Sequence, residues 1–238
     1  MKVALLLTGL ARKVEEGYNS YWKHIINNYN TDVYLQFWED EDYKKVLDIY
    51  KPKKYLQTKP FKFTEYRKGI ESYFADGMKE LNEVEDRSRP LIEYDVEGNF
   101  RGFPMFYSWQ QGYNLIEGKY DCIIRSRYDL GTPSPIKLEN LDLTKINITN
   151  HHWGNSDVMD DNITVTNQKL ADIVFKDVFD EFVAYAKSYK KIFFQEHNFT
   201  KILHRKGVSK YIYKTNELPF SLLREMGLWY KKDKSDLK

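Results

Sequence analysis

The sequence predicts an α/β fold: a central, mostly parallel sheet flanked by helices, with a short mixed β region in the C-terminal half. Three observations predict it. Residues 2–8 form an unbroken apolar run, as a strand covered on both faces does. Strand-period and helix-period stretches then alternate as β-α-β-α-β, the signature of parallel strands joined by right-handed crossovers. A second apolar run, "YDCII" at 120–124, follows another helical stretch.

Each element has its own signal. After the first strand, Leu10, Val14, Tyr18, Trp22, Ile25, Ile26 and Tyr29 recur mostly at spacings of three and four, a helical stripe. In "DVYLQFW", Val33, Leu35 and Phe37 alternate with Tyr34, Gln36 and Trp38, a strand. Tyr43, Val46, Leu47 and Tyr50 make a short helical face that Pro52 ends, and "KKYLQT" reads as the third strand. An amphipathic helix is expected over 64–84 through Ile70, Tyr73, Phe74, Met78, Leu81 and Val84. The polar stretch "EVEDRSRPLIEYDVEGNFRG" reads as a mobile excursion. Phe106, Trp109, Tyr113 and Ile116 give the helix before the strand in "YDCIIRSRYDL". "INIT" and "ITVT" are short β pieces around the loop "NHHWGNSDVMDDN". One helix is expected from about 168 to 187 and another near 195–205. "VSKYIYK" reads as a last strand and "PFSLLREM" as a closing helix. The chain shows no internal repeat or low-complexity segment.

Composition narrows the function classes. The 238 residues include 19 Tyr, 14 Phe and 5 Trp, enough to build a large core. With 37 basic and 35 acidic residues the net charge is +2, too small a surplus for a dedicated nucleic-acid binder. The single cysteine, Cys122, rules out an intrachain disulfide framework and fits a reducing compartment, so a cytoplasmic location is expected. "MKVALLLTGL" is short for a signal peptide and far too short to span a bilayer, so no transmembrane segment is expected. The charged tail "YKKDKSDLK" reads as frayed.

Ligands of open parallel sheets bind beyond the carboxyl ends of the strands. Past the first strand lie Thr8, Gly9 and Arg12; past the second, Trp38, Glu39 and Asp40; past the strand of "YDCIIRSRYDL", Arg125, Arg127 and Asp129. Glycine lets a backbone approach a ligand closely, and Arg12, expected in the first turn of the next helix, is placed to grip a phosphate. An ordinary strand-to-helix turn explains Gly9 and Arg12 equally well. The pair Asp160–Asp161, with Asp157 nearby, is either a carboxylate site or a solvated Asp-Asp-Asn turn. Tyr107, Ser108 and Gln111 are spaced to share a helix face toward the cleft, whereas Phe106 and Trp109 read as core. His151 and His152 lack zinc-site spacing, and beside them Trp153 is a loop residue or a sugar-stacking ring. The chain has no G-x-x-x-x-G-K-[ST], G-x-S-x-G or G-x-G-x-x-G, so P-loop NTPase, hydrolase and dehydrogenase readings lack their motifs.

Taken together, "LLLTGLAR", "DVYLQFWED", "YKPKKY", "FPMFYSWQQGYNLI", "YDCIIRSRYD" and "DVMDDNITVTNQKLADI", in that order, resemble a family of small GT-A-type glycosyltransferase-like proteins of viral, phage and bacterial surface-glycan gene sets. The resemblance runs from residue 2 to about 212 and weakens after 170. It implies a single GT-A-like (Rossmann-like) domain over 1–238, with a nucleotide-sugar-binding half at 1–130, an acceptor-side half at 131–215, and a C-terminal helix and tail at 216–238. It implies transfer of a sugar from a UDP-, GDP- or dTDP-linked donor to a glycan or glycoprotein hydroxyl. Donor-binding residues would be Thr8, Gly9, Arg12, Tyr107, Gln111, Arg125, Arg127 and Asp129.

GT-A enzymes hold Mn²⁺ or Mg²⁺ on an acidic motif, often D-x-D, at a strand end; the matching tripeptide here is Arg127-Tyr128-Asp129. Either Asp129 still ligates the metal, with help from His197 (or His204) on a late helix, or the arginines supply the countercharge. Arg–Asp pairing that merely ties loops together is a third reading. Asp161 or Asp160 would be the catalytic base, and Glu196 stands beside His197 in a segment resembling the family's final polar site. A nucleotidyltransferase on a similar sheet, or a non-catalytic glycan-binding or assembly module, are the alternatives.

Overall fold

In a computed structural model of the chain, residues 1–39, 43–72, 100, 102–131, 136–150, 159–193, 195–218 and 220–223 are described. The strands are β1 (Lys2–Gly9), β2 (Asn30–Trp38), β3 (Lys54–Thr58), β4 (Glu71–Ser72), β5 (Cys122–Ser126), β6 (Leu130–Gly131), β7 (Ile146–Thr149), β8 (Thr164–Thr166), β9 (Lys191–Ile192), β10 (Ile212–Thr215) and β11 (Ser221–Leu222). The α-helices are α1 (Val14–Tyr21), α2 (Tyr43–Tyr50), α3 (Thr64–Arg67), α4 (Gly102–Tyr113), α5 (Gln168–Phe175), α6 (Val178–Tyr189) and α7 (Gln195–Arg205).

Seven strands form one sheet in the order β10-β7-β8-β5-β1-β2-β3. β3, β2, β1 and β5 are mutually parallel, as are β7 and β10. β8 runs antiparallel between β5 and β7, which is the expected mixed region. The sheet therefore takes strands from both sides of residue 130.

Alternation within the strands divides the core. Ala4, Leu6, Tyr34, Trp38 and Ile123 pack with Phe103, Phe106 and Trp109 of α4 and with residues of α5, α6 and α7. Leu5, Leu7, Leu35, Phe37 and Ile124 pack on the other face with Val14 and Tyr21 of α1 and Val46 of α2. Because both faces are covered, β1 and β5 read as continuous apolar runs. α4 comes close to the sheet at Gly112, where a Cβ would stand 2.8 Å from Thr8 Cγ2 and 3.0 Å from Leu6 Cδ1.

Four expected elements differ. The helix expected over 64–84 stops at Arg67: Lys68 is extended (φ −55°, ψ 122°), Gly69 has φ +74°, and Glu71–Ser72 pairs in parallel with Lys191–Ile192. Ile70 is buried from this turn, so it counts as apolar without belonging to a helix face. The helix expected over 168–187 is two, α5 and α6, broken where Asp177 leaves helical geometry (φ −135°, ψ 25°). Val174, Phe175, Val178 and Phe179 are buried across the break, so the apolar stripe gives no sign of it. In "PFSLLREM", Ser221–Leu222 is a strand antiparallel to Leu130–Gly131, drawn down by the burial of Leu218 and Phe220. The strand expected in "VSKYIYK" starts only at Ile212, after a single 3₁₀ turn over Ser209–Tyr211, and Ser221–Leu222 follows it. Asp40, the helix expected beyond residue 72, the expected excursion up to residue 99, His151, His152, Trp153, Asp157 and the tail lie outside the described residues.

Candidate functional site

β1 and β5 pair as far as Leu7 and Ser126, and β1 runs on beside β2 to Gly9, so Thr8–Gly9 and Arg127 stand at the carboxyl edge of the sheet. Gly9 has φ +102°, a conformation that favours glycine. Among the described residues a Cβ there would meet nothing within 4 Å, so the requirement is the backbone's and these residues leave the space at the turn open. The Gly9 amide donates to Gln36 Oε1 (3.2 Å), and Gln36 Nε2 donates to Thr58 Oγ1 (3.1 Å), stitching the ends of β1, β2 and β3 together. Thr8 is buried and its hydroxyl has no hydrogen-bond partner. Arg12 is exposed on the connecting segment, not in the next helix, which starts at Val14.

The two arginines do different things, and Arg125 lies within β5, paired on both sides, rather than past its end as expected. Arg125 is fully buried, its guanidinium 3.7 Å above the centre of the Trp109 ring. It donates to the carbonyl oxygens of Asp161 (2.6 Å) and Asn162 (3.4 Å), while its Nε–H has no partner. Burial pulls its pKa down to about 9. Arg125 therefore fastens the acidic loop to the sheet.

Arg127 forks onto Asp129, with Nε to Oδ1 at 2.8 Å and a terminal nitrogen to Oδ2 at 3.0 Å. Its other terminal nitrogen faces Asn162 Oδ1 at 3.4 Å. The Arg127 side chain is 31% exposed and that of Asp129 only 6%, so the cation is the accessible half of the pair. The turn itself is fixed. Tyr21 donates to the Arg127 carbonyl (2.7 Å) and lies 2.7 Å from Ser126 Oγ, Tyr128 donates to the Gln36 carbonyl (3.1 Å), and the Leu223 amide donates to the Asp129 carbonyl (2.9 Å).

Asp160, Asp161 and Glu196 stand close enough to these groups to feel their charge. Asp160 accepts from Thr149 Oγ1 and from the Asn162 amide (2.6 Å), so both its oxygens brace the loop. Asp161 is buried, which raises its pKa; Asp160 raises it further, while Arg127 and Arg125 oppose the shift. Glu196, half-buried in the first turn of α7, is pushed up to about 7 by burial and by Asp161 and Asp160. Thr200 Oγ1 donates to the Glu196 carbonyl (2.8 Å) and accepts from the Met159 amide (3.0 Å), tying α7 to the loop.

On α4, Ser108 is buried with an unpartnered hydroxyl and Gln111 is half-buried beside Gly112. Tyr107 packs among Trp38, Phe61, Phe63 and Phe179. Phe106 and Trp109 are core as expected, although Trp109 also carries Arg125. Sequence reasoning missed Asn162, Trp109 as a cation platform, and Gly17, where a Cβ would overlap the Tyr128 carbonyl oxygen. A glycine inside a helical stripe was the one available signal for the last of these.

The donor set does not fit a divalent metal at Asp129. Such an ion takes several oxygen ligands, yet both Asp129 oxygens accept from Arg127. Among the described residues no three His, Cys, Asp or Glu side chains are grouped to hold a metal. His197 instead packs its ring on Phe193, 4.6 Å between centroids, and burial lowers its pKa.

No protein-family model matches the chain, and no curated protein matches it. Among solved structures it is similar to the glycosyltransferase GlyE of Streptococcus pneumoniae TIGR4, at 11% identity and a TM-score of 0.48, over 91% of this chain and 45% of that one. The chain thus spans less than half the length of that protein. Among the described residues no helix is long and apolar enough to cross a membrane.

Proposed function

We propose that the chain is a glycosyltransferase that moves a sugar from a nucleotide-sugar donor (UDP-, GDP- or dTDP-linked) to a glycan or glycoprotein hydroxyl. One observation carries the reading. The carboxyl edge of the parallel strands brings together an open glycine turn at Gly9, an accessible guanidinium at Arg127, and carboxylates on the loop and helix across from it. The ordered sequence segments that resemble GT-A-type proteins run through these same turns.

In this reading the donor diphosphate lies over Thr8–Gly9 and against Arg127, with Arg12 on the flanking turn. A fixed cation there stabilises the charge that grows on the leaving diphosphate. The acceptor hydroxyl approaches from the side of Asp161 and Glu196. Asp160 is occupied as a brace, which leaves those two carboxylates to take the proton. With a pKa of about 7, Glu196 is matched to proton transfer near neutral pH.

Incubation with a panel of UDP-, GDP- and dTDP-sugars, following thermal stability and nucleotide release, tests the proposal. Stabilisation by one donor class, with release of its nucleoside diphosphate on adding acceptor, is expected. Pyrophosphate release from a triphosphate would identify a nucleotidyltransferase instead. Sugar binding without turnover would identify a glycan-binding module.

A further inference from the structure

We propose that Arg127, held on Asp129, takes the place of a divalent cation against the donor diphosphate, so that donor binding needs no metal. This rests on the donor-site reading above and adds to it the source of the countercharge.

A guanidinium has five N–H donors in a planar fork. In Arg127, Nε–H and one terminal N–H are committed to Asp129, and another terminal N–H faces Asn162. Two N–H groups, one on each terminal nitrogen, are left. They sit on a side chain that is 31% exposed, and the strand register brings the Arg127 main chain to the same edge as Thr8–Gly9. That is the donor geometry a phosphate oxygen pair takes from arginine. Asp129 has the part it would have under a metal, fixing the cation, but the cation is covalently part of the chain. A metal at Asp129 would have to share with a bidentate guanidinium a carboxylate that is 6% exposed, and would lie beside that cation. Arg125 does not compete for the phosphate, because it is buried on Trp109 and on the carbonyls of the acidic loop.

A guanidinium brings one positive charge where Mn²⁺ brings two. The clamp therefore depends on direction as much as charge, and lysine is a poor substitute for it.

The test is calorimetric titration of the full chain with UDP, GDP and dTDP, in EDTA and again with Mn²⁺ or Mg²⁺. The expected result is a nucleoside diphosphate whose Kd agrees within about twofold in the two buffers, with Arg127→Gln weakening it about tenfold or more in both. Arg127→Lys, which keeps the charge and guards against a folding defect, is expected to recover only part of the loss. Binding that needs Mn²⁺ or Mg²⁺ overturns the inference while the donor-site reading stands; binding that Arg127→Gln leaves unchanged overturns the inference and takes Arg127 out of the donor site. Binding of none of the three nucleotides in either buffer overturns both.

Discussion

Gly17 of α1 lies directly on the main chain of Tyr128, so closely that an alanine methyl would overlap the Tyr128 carbonyl oxygen. The helix that follows β1 thus presses on the turn that carries Arg127 and Asp129. Gly17→Ala is expected to shift that turn, lowering stability by about 1–3 kcal/mol or more, as overpacking does, and weakening nucleotide binding with it. Denaturant unfolding and nucleotide titration of the same variant check both effects. Gly112→Ala, which meets Thr8 Cγ2 at 2.8 Å on the other face, should disturb the β1 turn instead.

How much of this was legible depended on what each residue's identity fixes. The strand-end rule put Gly9 and Arg127 at neighbouring strand ends, where the register has them, because a sheet of this class brings successive carboxyl ends together. The direction of a charged side chain is not written in its identity, so Arg125 and Arg127, two residues apart, looked alike. One turned out buried on Trp109 and the other forked onto Asp129. The break at Asp177 was illegible for a similar reason, since a buried stripe continues through it and periodicity sees only the stripe. Ser221–Leu222 became a strand because β6 offered a partner, a long-range fact that no local pattern holds.

Arg125 supports the acidic loop from within the core. Arg125→Ala removes the donors to the Asp161 and Asn162 carbonyls and empties the space over Trp109. A stability loss of about 3–5 kcal/mol is expected, the range for breaking a buried charged contact. Chemical denaturation measures it, and the loss of indole contact should alter the tryptophan fluorescence of the folded state.

Glu196 makes stability depend on pH. Its folded pKa of about 7 is above the ordinary value of 4.5, so between these pH values the folded state binds more protons than the unfolded one. Its contribution is fully present below about pH 4.5 and is lost as pH rises through about 7. Over that window Glu196→Gln is expected to flatten the decline of unfolding free energy by on the order of 1–3 kcal/mol, with Asp160, Asp161 and Arg127 unchanged around it. Denaturant curves at half-unit pH steps give the comparison directly.

The same two carboxylates should separate binding from turnover. Asp161→Asn and Glu196→Gln are each expected to leave nucleotide affinity nearly intact. Turnover should fall by about 10²–10⁴-fold in whichever variant lacks the proton acceptor. If that acceptor is Glu196, the wild-type rate rises with pH through about 7 and Glu196→Gln abolishes the rise.

The proposed donor site lies at one location, the carboxyl edge where β1 and β5 end. Hydrogen exchange of the full chain, with and without the nucleoside diphosphate it binds most tightly, tests that location directly. Slowed exchange is expected in peptides covering residues 8–12 and 126–131. Protection confined to the groove between α5, α6 and α7, lined by Asp172, Lys176, Glu181, Arg205 and Lys206, would contradict it.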